Sequence, residues 1–229
     1  MRKYSLLIML LLPINFLYSQ NKGDTVFLKR ELNANGYKAV FVQQPRSDFH
    51  YRTLKLLSID SLRFNEVLKE MDRIIANKVV KVDKGLQGEW ISVFFYRNRW
   101  YAYSPSEPYY NLYLSIQGTT VSFNDFNEGI TPSVVTESKR DKSGKILSYT
   151  LTDVNENTNH ISLQFLDEEK SWMRVKFHDA NSRSVVMVKK QVFFKLPIIV
   201  NFCPASRCTE WNFDPNEKLG LNKIQAIPQ

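Results

Sequence analysis

Residues 146–177 read ILSYTLTDVNENTNHISLQFLDEEKSWMRVKF. Within them Leu147, Tyr149 and Leu151 alternate with Ser148, Thr150 and Thr152. Ile161, Leu163 and Phe165 alternate with Ser162 and Gln164, and Met173, Val175 and Phe177 alternate with Arg174, Lys176 and His178. Successive side chains of a strand point to opposite faces, so each segment has one dry side and one wet side. That pattern belongs to antiparallel sheet buried on a single face. Asp167-Glu168-Glu169-Lys170 joins the last two segments as a short polar turn.

The same punctuation extends in both directions. Trp90–Tyr96 and Trp100–Tyr103 read as strands across an Arg97-Asn98 turn. Asn111–Ile116 and Thr119–Phe123 form a hairpin across Gln117-Gly118, and Ile130–Ser138 meets Ile146–Thr152 across Asp141-Lys142-Ser143-Gly144. Ser184–Phe194 reads as the last long strand. Pro105 and Pro108 make 104–108 a loop, because a central strand needs the amide donors that proline lacks. Strand after strand with short turns predicts a mainly β chain, an antiparallel up-and-down meander. Closing it into a barrel removes its exposed edges; a two-sheet sandwich is the alternative.

A different pattern precedes the meander. Arg2 and Lys3, the apolar run Leu6–Leu12 and small Ser19 before Gln20 have the three-part layout of a secretory signal over residues 1–19. The run is too short for a membrane span, which takes about 20 apolar residues, and no later segment reaches that length. Thr25–Arg30 and Tyr37–Val42 flank the turn-rich Asn33-Ala34-Asn35-Gly36, a hairpin in which Tyr37, Ala39 and Phe41 share a face. Phe64, Val67, Leu68, Met71, Ile74 and Ile75 then recur at helical spacing, with Ser58 or Asp60 as cap and Asn77 as stop. Their stripe reads as a core-packing face. The expected organisation is a signal peptide over 1–19, a hairpin-and-helix segment over 20–84, a barrel over 85–200, and a disulfide loop and tail over 201–229.

Composition narrows the function classes. The chain has 229 residues, 43% hydrophobic, with eight Gly and nine Pro, which excludes collagen-like and low-complexity chains. The formal charge is +8, and loss of Arg2 and Lys3 with the signal lowers it by two. The remaining excess favours attraction to an anionic envelope surface, whereas export argues against nucleic acid as a partner. The expected location follows: secreted across the inner membrane, periplasmic or extracellular. Cys203 and Cys208 are the only cysteines, and an oxidising compartment favours their pairing. They would staple the loop after Ile198-Ile199-Val200 so that Trp211 and Phe213 dock back on the barrel.

Aromatic residues concentrate between Trp90 and Tyr113, where ten of 24 residues are Phe, Tyr or Trp against 13% overall. Rings in that number either fill a core or line a ligand site. The ligand candidates are Trp100, Tyr101, Tyr103, Tyr109 and Tyr110, with Arg99 for an acidic group. No G-x-S-x-G, H-E-x-x-H, P-loop or dinucleotide glycine pattern occurs, and no cofactor or metal is expected. His50, His160 and His178 are isolated; the latter two fall on neighbouring strands but on the polar face. Asn124, Asp125, Asn127 and Glu128 are oxygen-rich, yet lack the spacing of a calcium loop and read as a turn.

Gly88-Glu89-Trp90, at the start of the first barrel strand, resembles the G-x-W signature of lipocalins and their calycin relatives, and Thr152-Asp153-Val154 is similar to their T-D-Y element. The resemblance spans Gly88 to Phe194. It departs from the family in the long leading segment, in Val154 where Tyr is expected, and in the lack of a clear helix after the last barrel strand. The resemblance implies an eight-stranded barrel in which Trp90 plugs one end beneath a basic residue, and an interior that binds a small apolar molecule. Two functions follow as expectations. The first is a secreted, non-enzymatic protein holding a small apolar or aromatic ligand. The alternative is an envelope protein–protein module or an inhibitor of a secreted enzyme.

Overall fold

The computed structural model describes residues 25–33, 36–57, 61–75, 79–107, 110–125, 129–167, 169–180, 182–204 and 208–215. The signal segment 1–19, the turn residues Ala34 and Asn35, the helix-boundary residues Ser58, Asp60 and Asn77, the ligand candidate Tyr109, and Asn127 and Glu128 lie outside them.

Eight antiparallel strands close a barrel: β3 (Gly88–Ser92), β6 (Tyr113–Gln117), β7 (Thr120–Asp125), β8 (Gly129–Arg140), β9 (Ile146–Thr152), β10 (Thr158–Phe165), β11 (Trp172–Phe177) and β12 (Ser184–Lys189). Each strand pairs with the next barrel strand in the chain, and β12 returns to β3 through Met187↔Ser92, Val188↔Ile91 and Lys189↔Trp90. This is the meander, closed. The dry faces of the quoted segments turn inward: Leu147, Leu163 and Val175 are 6%, 1% and 0% exposed.

The chain leaves the barrel between its first two strands. β4 (Phe94–Tyr96) and β5 (Arg99–Ser104) belong to a five-stranded sheet with β1 (Val26–Asn33), β2 (Gly36–Gln43) and β13 (Ile198–Phe202), in the order β1-β2-β13-β5-β4. β13 runs parallel to β5 and antiparallel to β2. Trp90–Tyr96 is therefore two strands in two sheets, broken at Val93, whose amide donates to Val186 O at 3.0 Å.

This second sheet is covered on both faces. Ala39, Phe41, Phe95, Trp100, Ala102, Ile198 and Val200 pack with the barrel's outward-facing Ile91, Tyr113, Trp172, Val186 and Val188; the rings of Trp100 and Trp172 meet at 5.5 Å. The opposite face, Val40, Tyr101, Tyr103 and Ile199, packs with Trp211 and Phe213. Strands buried on two sides lose the apolar–polar alternation, which is why residues 94–96, 100–103 and 198–200 read as unbroken apolar runs.

Among the described residues three α-helices complete the fold. α1 (Asp48–Leu56), which the sequence pattern does not reveal, contacts β5 and β13 and contributes Phe49 and Leu54, with Leu57 just beyond it, to the layer between sheet and barrel. α2 (Ser61–Ile75) is the expected amphipathic helix; Phe64 and Met71 of its stripe are buried and it lies on β8. α3 (Lys190–Phe193) takes over where the last strand was expected to continue to Phe194. Among the described residues no helix is long and apolar enough to cross a membrane.

Candidate ligand cavity

One end of the barrel is sealed by a plug built from residues 80–90. Val82, Leu86 and Trp90 are buried among the inward-facing side chains. A single 3-10 turn, Lys84–Leu86, is started by Asp83, whose carboxylate accepts from Gly85 N at 2.8 Å. Gln87 fastens this plug to the β6–β7 turn, accepting from Gly118 N at 2.7 Å and donating to Gly118 O at 3.2 Å. Gly88 turns the chain into β3 at φ +115°, a conformation that glycine alone adopts without strain. Trp90 has no exposed surface and donates from Nε1 to Leu86 O at 2.8 Å. The Lys189 ammonium lies 5.5 Å from the centre of the indole ring, within cation–π reach.

The other end is open. There a cavity of about 640 Å³ is bounded by Phe123, Leu151, Ile161, Phe177 and Val185 on its apolar side and by Ser92, Asn111, Asn124 and Ser133 on its polar side. That volume is in the range of small-molecule sites, ~300–1,000 Å³. Ser92 Oγ is engaged, accepting from Leu112 N at 2.9 Å. Asn111 is 3% exposed and donates from Nδ2 to Tyr103 O at 2.9 Å, while its Oδ1 is enclosed and among the described residues no donor reaches it. Exposed His160, His178, Asp179 and Arg183 stand at the rim. Each is tied locally: His160 Nδ1 lies 3.2 Å from Thr150 Oγ1, His178 Nε2 lies 2.8 Å from Ser162 Oγ, and Arg183 pairs with Asp179 at 3.3 Å.

The ligand candidates from the sequence are distributed over three places. Tyr110 is at the mouth, stacked on Phe94 at 5.7 Å. Trp100 is in the layer between sheet and barrel, and Tyr101 and Tyr103 are on the sheet's far face; these three are buried and do not border the cavity. Arg99 is exposed at the start of β5. The aromatic density thus reflects a sheet that must fill two interfaces. Of the residues that do bound the cavity, Phe94, Tyr110 and Asn111 come from the second sheet and the loop after it, and Ser92, Phe123, Leu151, Ile161, Phe177 and Val185 are mouth-end members of the inward-facing rows. Parity with Trp90 places Ser92 among them, but nothing local in the sequence tells which end of a barrel stays open.

Residues 208–215 form a strap across the far face of the second sheet. Trp211 meets Tyr96 at 5.6 Å, and Phe213 meets Phe94 at 4.6 Å and Tyr103 at 4.8 Å. These rings therefore dock on the sheet, whereas the sequence reading placed them on the barrel; the sheet stands between the two. A Cys203–Cys208 disulfide roots the strap directly after β13. Burial and the nearby Glu210 carboxylate hold the Tyr103 hydroxyl far above the usual phenol range, and the same two causes raise Tyr110.

A second ionic cluster braces the barrel's outer surface near the plug. Glu89 accepts from Tyr113 Oη and from Lys190 Nζ, the latter at 2.8 Å. Partial burial alone would raise the Glu89 carboxyl, but these two bonds outweigh it and the group titrates below its ordinary value. Asp153, of the element similar to T-D-Y, organises the β9–β10 turn by accepting from the amides of Asn155 and Asn157, both at 2.9 Å. Asn124 and Asp125 are strand residues of β7, and among the described residues no three His, Cys, Asp or Glu side chains are grouped as metal ligands.

No protein-family model, curated protein or solved structure matches this chain.

Proposed function

We propose that the chain is an exported, non-enzymatic binding protein of lipocalin-like build that holds a small apolar or aromatic molecule in the open end of its barrel. The observation that carries this reading is the cavity itself: about 640 Å³, walled by Phe123, Leu151, Ile161, Phe177 and Val185, at the end opposite a sealed plug. The lipocalin likeness is supported by the closed eight-stranded meander, by Gly88-Glu89-Trp90 opening its first strand, and by Lys189 over the Trp90 ring. Export is supported by the layout of residues 1–19 and by a disulfide, which suits an oxidising compartment.

The test is native mass spectrometry of the exported protein together with titration of N-phenyl-1-naphthylamine, a dye that brightens in apolar surroundings. A retained small-molecule adduct, or saturable dye uptake, is expected. A bare mass with no dye uptake would sink the reading.

The alternative, a protein–protein module, is favoured by one observation. β1 is an edge strand of the second sheet, and Val26, Phe27 and Leu32 on it are 59%, 39% and 84% exposed. An edge with free backbone groups and apolar side chains accepts a partner strand. Stoichiometric capture of one envelope protein, lost when Phe27 and Leu32 are both replaced by Lys, would support it.

A further inference from the structure

We propose that His160 and His178 form a two-imidazole site for a divalent transition metal of the Zn²⁺ or Cu²⁺ class on the outer lip of the barrel. The proposal stands apart from the ligand-binding reading, because it concerns the wet face of the barrel wall and not the interior.

Strand register brings the two residues together. The β10–β11 ladder runs through Ile161↔Phe177 and continues to His160 and His178, where His178 N donates to His160 O at 3.0 Å. Facing residues of an antiparallel pair lie on one side of the sheet, with Cβ atoms about 5 Å apart. Ile161 is 1% exposed and points inward, so His160 beside it points outward. Both histidines are exposed, and both border one shallow groove with Glu137, Thr150, Ser148 and Ser162. A solvated ion therefore reaches both rings. Two nitrogens held about 2.0–2.1 Å from one metal stand about 3 Å from each other, a separation that side chains rooted about 5 Å apart can meet.

The neighbouring strand prepares His160 as a ligand. Thr150 Oγ1 lies 3.3 Å from Glu137 Oε2 and 3.2 Å from His160 Nδ1. A carboxylate only accepts, so the one hydroxyl proton goes to Glu137 and His160 Nδ1 donates to Thr150 Oγ1. The neutral ring then carries its lone pair on Nε2, the atom a metal takes. Metal-binding histidines are oriented in the same manner, by an acceptor on the second ring nitrogen. His178 Nε2 lies 2.8 Å from Ser162 Oγ, itself 3.0 Å from Ser148 Oγ. With Ser162 donating to Ser148, it accepts from His178 Nε2–H and leaves Nδ1 for the ion. Imidazole suits Zn²⁺, Cu²⁺ and Ni²⁺, whereas Mg²⁺ and Ca²⁺ want oxygen ligands. Among the described residues no third His, Cys, Asp or Glu side chain is grouped with the pair, so water completes the coordination and the ion exchanges readily.

The experiment titrates zinc chloride, and separately copper sulfate, into the whole exported chain in a buffer that does not bind metal. Calorimetry gives affinity, and nitrogen–proton spectra of the histidine rings give location. One equivalent is expected to bind, Cu²⁺ more tightly than Zn²⁺. Zn²⁺ should move the ring signals of His160 and His178 and leave those of buried His50 in place. His160→Gln and His178→Gln are surface changes that keep the fold, and each should weaken Zn²⁺ binding at least about tenfold. The spectra of the unmodified protein decide the matter even if a variant fails to fold. No uptake of either ion, uptake that neither substitution weakens, or shifts confined to other side chains would overturn the proposal. None of these results bears on dye uptake, which tests the ligand-binding reading by itself.

Discussion

Tyr103 and Glu210, 107 positions apart, are joined by a hydrogen bond from the phenol to the carboxylate Oε2. The same carboxylate accepts from Ser106 Oγ at 2.6 Å, Glu107 N at 2.8 Å and Asn201 Nδ2 at 3.1 Å. One side chain of the strap thereby holds β5, β13 and the loop that leads to Tyr110 and Asn111. Because Tyr103 O in turn holds Asn111 Nδ2, strap, loop and cavity wall are physically continuous.

Removing that hub has a defined cost. Bonds to a charged acceptor are worth more than neutral ones, so Glu210→Ala is expected to destabilise the protein by about 2–3 kcal/mol. Tyr103→Phe, which removes the donor to Glu210 and the acceptor of Trp211 N at 3.0 Å, should cost about 1–2 kcal/mol. Urea denaturation measures both; a Glu210→Ala loss no larger than that of Tyr103→Phe would show that the remaining donors find water equally well.

His50 makes stability depend on pH. It has no exposed surface, and its Nε2 lies 2.8 Å from Leu196 O while Nδ1 lies 3.1 Å from Ser47 Oγ. A carbonyl only accepts, so Nε2 carries the proton and Nδ1 accepts from the hydroxyl. Burial depresses its pKa below the ordinary 6.5, the bond to Leu196 O opposing only in part. Below pH 6.5 the unfolded chain therefore takes up a proton that the folded chain refuses. The His50 contribution is complete above that value and is lost as pH falls through it toward the depressed folded pKa. Urea midpoints at pH 7.5 and pH 5.5 should diverge more in the natural protein than in His50→Gln; equal divergence would remove His50 from the account.

The plug should be the barrel's most sensitive point. Trp90→Ala deletes a fully buried ring and leaves Leu86 O without its donor, so a loss of roughly 3–5 kcal/mol is expected. Lys189→Met keeps the packed stem and removes only the charge over the ring, at about 0.5–1 kcal/mol. Thermal melts rank the two, and the reverse order would mean that Trp90 is not the seal.

Filling the cavity should abolish binding without damaging the fold. Val185→Trp places added atoms in open space beside Phe123 and Phe177, so its melting temperature should stay near that of the natural protein while dye affinity falls at least about tenfold, 1.4 kcal/mol. Unchanged affinity would move the dye site elsewhere.

Opening the disulfide should have a small effect. Cys203 and Cys208 are five positions apart, and so short a ring restrains little unfolded chain, about 2 kcal/mol in the entropy model. Denaturation with and without reductant checks this. A much larger loss would mean that the strap itself, with Trp211 and Phe213, leaves the sheet.

What the sequence determined by itself was everything carried by local period. Leu147, Leu163 and Val175 face the core because alternation leaves each strand one dry face, and Phe64 and Met71 are buried because their helical spacing aligns them. Repeated hairpins with short turns then dictate a meander, and closure removes its edges. Tertiary structure alone decided that Phe94–Ser104 leaves the barrel to join β13, nearly a hundred residues on. A strand covered on both faces carries no alternation to say which sheet it serves. The same holds for the cavity. Ser92, Asn111, Asn124 and Ser133 come from four separate stretches, and a barrel's open end is set by where the plug sits, a relation between distant parts of the chain that no window of sequence contains.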